Sequence, residues 1–491
     1  MKCLPLLAAL SIALASNLYA QDSVRFHQEN VLGTSFDLAV MAPNAKAEAF
    51  CNQAITEIER LEQILSGWLP KSPVSALNRG ETVSNAAAEL ISVLDLADTF
   101  RSRTKGAFDA RIGTTIALWR EAVTTQQVPS PAAIEAAIEK TNKSSVSIVR
   151  QKATVTPIGG VHLALDGIAK GFILDRALAA ARQACPEVTG ALLDIGGDEA
   201  AFGKGPGGKP WRLGIANPQQ PAENAALLLA LGLQDRCCAT SGGYARGFEI
   251  AGTHYSHIID PGTGRPANGV LQATVIAKDA ATADALATAL TVLDPADSLE
   301  LVNGMKDIDC LIIDALGKRF QSRNFVRWVL DEGNATAELG GFPNSFSLDV
   351  TLKLPKIAAR YKRPYTAVWI EDPKGKLVCT LALWGRNRRW VSELSNWWSS
   401  IGADKDRVDA TGRASRGAGE YTLTWGGRDD AGRVVGVGEY ILVVEVSREH
   451  GGHTIVRQKI TCGTTAKTYT LASNKELDSC VVNYGKGSAA K

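Results

Sequence analysis

The chain has 491 residues, 45% of them hydrophobic and 21% charged, and its 53 Lys and Arg nearly balance its 51 Asp and Glu. That length suits two or three domains, and the composition excludes a collagen, a coiled coil and wholesale disorder. The even charge argues against a nucleic-acid binder held by phosphate contacts, and after the N-terminus no apolar run approaches the ~20 residues of a membrane-spanning helix.

The first residues predict export. Met1-Lys2 is a short basic start, residues 4–14 are apolar, and Leu18-Tyr19-Ala20 places a small residue before a cut. A signal peptide over 1–20, cleaved near Ala20, puts the mature protein in a bacterial periplasm. Cys3 precedes the apolar core, whereas a lipoprotein cysteine would follow it.

Residues 23–42 read as a strand, a turn at Gly33-Thr34 and a second strand. Residues 45–65 form an amphipathic helix, with Ile55, Ile58, Leu61 and Ile64 at helical spacing. Further helices are predicted over 86–104 and 132–140, strand-like alternation over 144–165, and another helix over 171–184. A short apolar strand at 191–195 runs into Gly196-Gly197. A strand at 273–277 is followed by a helix at 282–293. Strands and helices without a regular βαβ rhythm predict an α+β domain with a mixed sheet over 21–332. Gly and Asn recur over 333–345, which reads as a linker. From 346 to 491, short alternating segments such as 347–352, 366–370 and 440–446 predict an all-β sandwich.

Nine cysteines are present and none forms a Cys-x-x-Cys pair, so neither a zinc ribbon nor a thioredoxin-like motif is supported. Cys237 and Cys238 are adjacent, which is poor geometry for bonding to each other. In an oxidising compartment Cys462 and Cys480 are a candidate disulfide, with buried thiols as the alternative.

Several short stretches carry possible chemistry. Asp284 and Thr288 are four apart, which on a helix places both oxygens on one face. A carboxylate with a hydroxyl suits Mg²⁺ beside phosphate, while an Asp early in a helix also serves as a dipole partner. His257 precedes Asp260-Pro261 by three residues, and Thr263-Gly264 follows. This loop either presents His and Asp to one ligand or is an ordinary turn. Asp166-Gly167-Ile168-Ala169-Lys170-Gly171 combines small residues, which let backbone approach a ligand, with a lysine suited to phosphate. Gly106-Ala107-Phe108-Asp109, Asp194-Ile195-Gly196-Gly197-Asp198 and Thr240-Ser241-Gly242-Gly243-Tyr244 are similar small-residue turns. No Walker loop, GxGxxG after a strand, or GxSxG is present.

Taken in order, these stretches, with Leu32-Gly33-Thr34 and Leu65-Ser66-Gly67-Trp68, resemble the FAD:protein FMN transferase (ApbE) family over about residues 25–330. The C-terminal part looks like the β-rich domain sometimes fused to such transferases, and its segment 425–440 is similar to an immunoglobulin-like module of the flagellar hook-cap type. The expected fold is therefore an α+β transferase domain followed by an immunoglobulin-like sandwich.

The resemblance implies that FAD is cut at its pyrophosphate, that FMN passes to a Thr or Ser hydroxyl of an exported electron-transfer protein, and that AMP leaves. It further implies Mg²⁺ held by Asp284, Thr288 and the Gly167 carbonyl. His257 or Asp260 would act as base. Asp109, Asp166 and Lys170 would position FAD, and Leu32, Ala107, Phe108 and Ile258 would contact its rings. The sequence departs from the family at Ala164, where Asp is usual, at Leu32, where Met is common, and at Gly67. Asp409-Ala410-Thr411-Gly412-Arg413-Ala414-Ser415 is a degenerate version of the family's acceptor motif, or a plain polar loop. Two other readings fit the same residues: an FAD pyrophosphatase giving FMN and AMP, and a non-catalytic periplasmic flavin binder. None implies nucleic acid or a membrane span.

Overall fold

The computed structural model describes residues 23–219, 227–243, 247–332, 346–356, 363–385, 391–402, 408, 412–413, 415–430, 435–448, 451–463 and 465–486. The signal-peptide and linker expectations, Tyr244 and most of the acceptor-like segment lie outside the described residues.

The N-terminal part begins with a hairpin of β1 (Val24–Val31) and β2 (Thr34–Val40). Helices α1 (Asn44–Leu65), α2 (Pro73–Asn78), α3 (Ala88–Arg103), α4 (Gly113–Thr125) and α5 (Pro131–Lys143) follow. The apolar stripe read from the sequence buries Ile58 and Leu61 of α1, with Ile55 and Ile64 packed at the margin. Ser72 and Ser130 cap α2 and α5, each with a proline at the first helical turn. Next come β3 (Ser145–Val149), β4 (Thr154–Ile158), α6 (Ala169–Ala184), β5 (Gly190–Ile195), β6 (Asp198–Gly203), β7 (Trp211–Ile215), β8 (Leu229–Leu233) and β9 (Arg236–Gly242). The remainder is β10 (Gly247–Ile250), β11 (Thr253–Ser256), β12 (Val270–Ala277), α7 (Ala280–Leu290), α8 (Pro295–Asn303), β13 (Asp309–Asp314), β14 (Arg319–Gln321) and β15 (Val329–Glu332).

Eight strands form one sheet in the order β1-β2-β5-β6-β9-β12-β13-β14. Every pairing in it is antiparallel, which corrects the expected mixed sheet. Tight turns join β1 to β2 and β5 to β6, and only antiparallel neighbours can be joined that closely. One face packs against α1, α3, α6 and α7 in the main apolar core. Part of the other face packs under the small sheet β15-β8-β7 through Leu213, Leu231, Leu311 and Phe325. Of the 144–165 stretch, only the hairpin β3–β4 is strand.

The C-terminal part holds β16 (Phe346–Leu354), β17 (Tyr365–Glu371), β18 (Leu377–Trp384), α9 (Ser395–Ser400), β19 (Gly412–Arg413), β20 (Gly419–Trp425), β21 (Gly438–Ser447), β22 (His453–Cys462), β23 (Lys467–Leu471) and β24 (Ser479–Lys486). A four-stranded sheet β20-β16-β24-β23 and a five-stranded sheet β19-β18-β17-β21-β22 share a core drawn from both, including Val350, Val482, Val368 and Leu442. On the outer face of the larger sheet, Trp397 of α9 packs with Trp369 and Val443. Cys462 and Cys480 are buried in the shared core as free thiols rather than as the candidate disulfide.

Candidate active site

The site is built where α6 crosses α7. Asp175 of α6 accepts hydrogen bonds from Ala280 N at 2.7 Å and Ala281 N at 3.0 Å, two of the donors left open at the start of α7. Asp279 caps the same end through Thr282 N. Burial pushes the Asp175 carboxyl up to about 6, although the two amides oppose the shift. The helices meet closely because Gly171 has no side chain: a Cβ there would lie 2.2 Å from Ala280 O.

That close approach brings the start of α6 to Asp284. Gly171 N donates to Asp284 Oδ2 at 3.1 Å, and Asp284 is 2% exposed. Burial, reinforced by the charge of Asp198, pushes the Asp284 carboxyl up to about 8, while Lys170 and the Gly171 amide oppose the rise. Lys170 itself is ion-paired with buried Asp198, the first residue of β6.

One turn beyond Asp284, Thr288 Oγ1 lies 3.4 Å from Ser241 Oγ on β9. A Cβ added to Gly167 would sit 2.9 Å from Thr288 Oγ1 and 3.4 Å from the Phe108 ring. The chain at Gly167 therefore runs directly over Thr288, in a cradle that a side chain would fill. Among the described residues no group of three His, Cys, Asp or Glu could hold a metal. A divalent ion here would need a mixed oxygen set, and Asp284, Thr288 and the backbone at Gly167 are of that kind. Two buried carboxylates, Asp284 and Asp198, share the single Lys170 ammonium here, which also fits a further positive ion.

The other predicted residues surround this crossing. Leu32 and Gly33 form the β1–β2 turn with φ of 49° and 76°, the mirror-type geometry of tight hairpins. Thr34 then abuts the diglycine turn, since a Cβ on Gly196 would lie 2.7 Å from Thr34 Oγ1. Ala107 and Phe108 are buried, and Phe108 N is held by Thr104 Oγ1 at 3.0 Å. Asp109 is turned away into a two-point pair with Arg111, 2.6 Å at its shorter contact. Asp166 is exposed, and Ala164 N donates to Ala110 O.

In the 256–268 loop His257 is exposed and Ile258 buried. Both Asp260 oxygens accept within the loop, from Gly262 N and from Thr263 Oγ1, each at 2.8 Å. Trp119 Nε1 anchors the loop through Gly264 O at 2.8 Å. Gly243 touches its start, because a Cβ there would lie 2.3 Å from Ser256 Oγ. Sequence reasoning placed Asp198 and Ser241 in small-residue turns without pairing them with Lys170 and Thr288, and it passed over Arg111, the partner of Asp109. Arg111 had a local signal, two residues after Asp109. The Lys170–Asp198 pair spans 28 residues and the Ser241–Thr288 contact 47, so neither had one.

The ApbE family profile matches residues 32–312, more than half of the chain. The chain belongs to the ApbE family. A protein of Treponema pallidum named FAD:protein FMN transferase is 30% identical over 304 residues, spanning 58% of this chain and 83% of that one. A protein of the same name from Escherichia coli is 28% identical over 283 residues, spanning 55% and 79%. The crystal structure of the ApbE protein of Thermotoga maritima superposes with a TM-score of 0.58 at 29% identity, covering 63% of this chain and all of that one. The flavin transferase ApbE of Vibrio cholerae, at 24% identity and a TM-score of 0.53, shares the fold. Residues 347–479 match a second family described as a predicted periplasmic protein (DUF2271). Among the described residues no helix is long and apolar enough to cross a membrane.

Proposed function

We propose that this ApbE-family enzyme, a flavin transferase, moves FMN from FAD to a Thr or Ser hydroxyl of an exported electron-transfer flavoprotein and releases AMP. The reading assigns residues 1–20 to a signal peptide removed near Ala20, 21–332 to the transferase and 333–345 to a connector. Residues 346–491 form an immunoglobulin-like sandwich, and the site of action is the periplasm. The observation that carries it is the meeting of Gly167, Asp284 and Thr288 beside the Lys170–Asp198 pair at the start of α6.

Asp284, Thr288 and the Gly167 carbonyl would hold Mg²⁺, which when bound neutralises pyrophosphate charge. Lys170 and the dipole at the start of α6 add positive potential on the same side. Asp198 keeps the Lys170 ammonium in place. The Leu32 turn, Ala107, the Phe108 edge and Ile258 supply apolar walls for the flavin and adenine rings. Asp166 and Asp109 border the same region, with Asp109 acting through Arg111. Of the two candidate bases, Asp260 spends both oxygens on its own turn, so the base role falls to His257, whose imidazole offers a nitrogen that can accept a proton. His257 takes the acceptor's proton as its oxygen bonds to the FMN phosphorus, and the bond from that phosphorus to AMP breaks.

The test mixes the chain, FAD, Mg²⁺ and an acceptor carrying the Ser/Thr motif. In-gel flavin fluorescence on the acceptor is expected. Free FMN without labelled acceptor would instead indicate the pyrophosphatase, and bound, intact FAD a carrier.

A further inference from the structure

Glu29 joins the two halves of the chain. Ser415 N donates to Glu29 Oε1 at 2.5 Å, across 386 residues, and the Ser415 side chain adds a hydrogen bond to the same carboxylate. Arg363, also from the C-terminal part, places a guanidinium nitrogen 4.0 Å from Glu29 Oε2. On its other side Glu29 meets His27 Nε2 at 2.8 Å, and His27 Nδ1 meets Asp37 at 2.9 Å. Ser415 is 5% exposed, so the donor that meets Glu29 is shielded from solvent.

The place of this contact matters more than its strength. Among the described residues β1 is the edge strand of the eight-stranded sheet, paired on one side only. Glu29 lies immediately before an irregularity in the β1–β2 register, where Asn30 has φ 61°, and the Leu32-Gly33 turn follows. The bulge at Asn30 and the turn at positive φ interrupt the β1–β2 ladder at its tip, so the tip is held less firmly than the strands behind it. Thr34 rests on the diglycine turn at Gly196, which leads directly into Asp198 and Lys170. A shift at Glu29 is therefore two contacts away from the groups assigned to the pyrophosphate.

We propose that the C-terminal β-rich part is a working component of the flavin site: through Ser415 and Arg363 it clamps Glu29, and Glu29 is a positioning residue that sets the Leu32 hairpin against the diglycine turn. The inference rests on the flavin reading above for its effect on FAD, but the clamp itself does not.

The test uses the full chain. Glu29→Ala removes the clamp. Ser415→Pro removes the N–H and hydroxyl from the β-rich side and leaves the His27–Glu29 pair intact. Glu29→Gln keeps an acceptor for Ser415 N. The first two variants are expected to raise the KM for FAD about tenfold with kcat changed less than about twofold, and Glu29→Gln to restore most of the loss. Hydrogen exchange at Leu32 and Gly33 is expected to quicken in the first two variants, and in Ser415→Pro, which keeps the His27–Glu29 pair, the melting transition is expected to move little. Unchanged exchange in Ser415→Pro overturns the clamp. Faster exchange with unchanged KM overturns its role in the flavin site. If the wild-type chain binds and turns over no FAD, the functional reading fails, and hydrogen exchange still decides the clamp.

Discussion

The backbone N–H of Gly171 points at the carboxylate of Asp284, 3.1 Å away, so the first turn of one helix supports the one buried acid that the next helix presents to the site. The contact exists because Gly171 lets the helices approach to a distance that any Cβ would obstruct. Four predictions follow from this arrangement and its surroundings.

Replacing Asp284 by Asn preserves shape and the acceptor for Gly171 N but removes the anionic ligand. Turnover of FAD is expected to fall by at least about 100-fold. The melting temperature is expected to hold or rise, because a buried acid has been made neutral. Near-normal turnover at saturating Mg²⁺ would remove Asp284 from the metal role.

Gly171→Ala places a methyl 2.2 Å from Ala280 O, against backbone that cannot swing aside. Unfolding in urea is expected to show a loss of about 1–3 kcal/mol. Activity is expected to fall with it, since the shift opens the gap between Gly171 N and Asp284. A fully stable, active variant would mean that the crossing is looser than described.

The His27 ring is buried, and burial alone would lower its pKa. Hydrogen bonds and charges from Asp37 and Glu29 outweigh that and raise it to about 9 from 6.5. With a raised folded-state value, the stabilisation is fully present below about pH 6.5 and is lost as pH rises through about 9. The stability difference between wild type and His27→Gln, measured by urea unfolding at pH 6, 7.5 and 9.5, is expected to shrink across that range. A difference independent of pH would show that His27 stays neutral.

Every described cysteine is buried, and burial pushes the Cys462 and Cys480 thiols up to about 12. A thiol-reactive dye is expected to leave these cysteines unmodified in the native protein and to label them on unfolding. Rapid labelling of the folded chain would contradict their burial, and a dye-resistant pair after unfolding without reductant would reveal a disulfide.

Much of the architecture is legible in the chain. The stripe of Ile55, Ile58, Leu61 and Ile64 announces α1, because it repeats with the helical period, and the nearly continuous apolar run 440–446, rather than an alternation, marks β21, which is covered on both faces. Weakly patterned elements escaped. α4 contains an apolar Ile, Leu and Trp but no predicted boundary, and β6 to β11 are strands of four to seven residues, too short for a pattern to repeat clearly. The four-residue spacing of Asp284 and Thr288 was also readable, since it depends on helix geometry alone.

The sequence by itself determined the strongly patterned elements, the division into an α+β part and a β-rich part, and the placing of Asp284 and Thr288 one turn apart on α7, because these follow from local period and residue chemistry. Only the tertiary structure decided that Asp175 caps α7 from 105 residues away, that Lys170 pairs with Asp198, and that Ser415 grips Glu29. Such contacts form when packing brings distant segments to within hydrogen-bond reach and burial makes an unpaired charge costly, and neither condition leaves a mark on neighbouring residues in the chain.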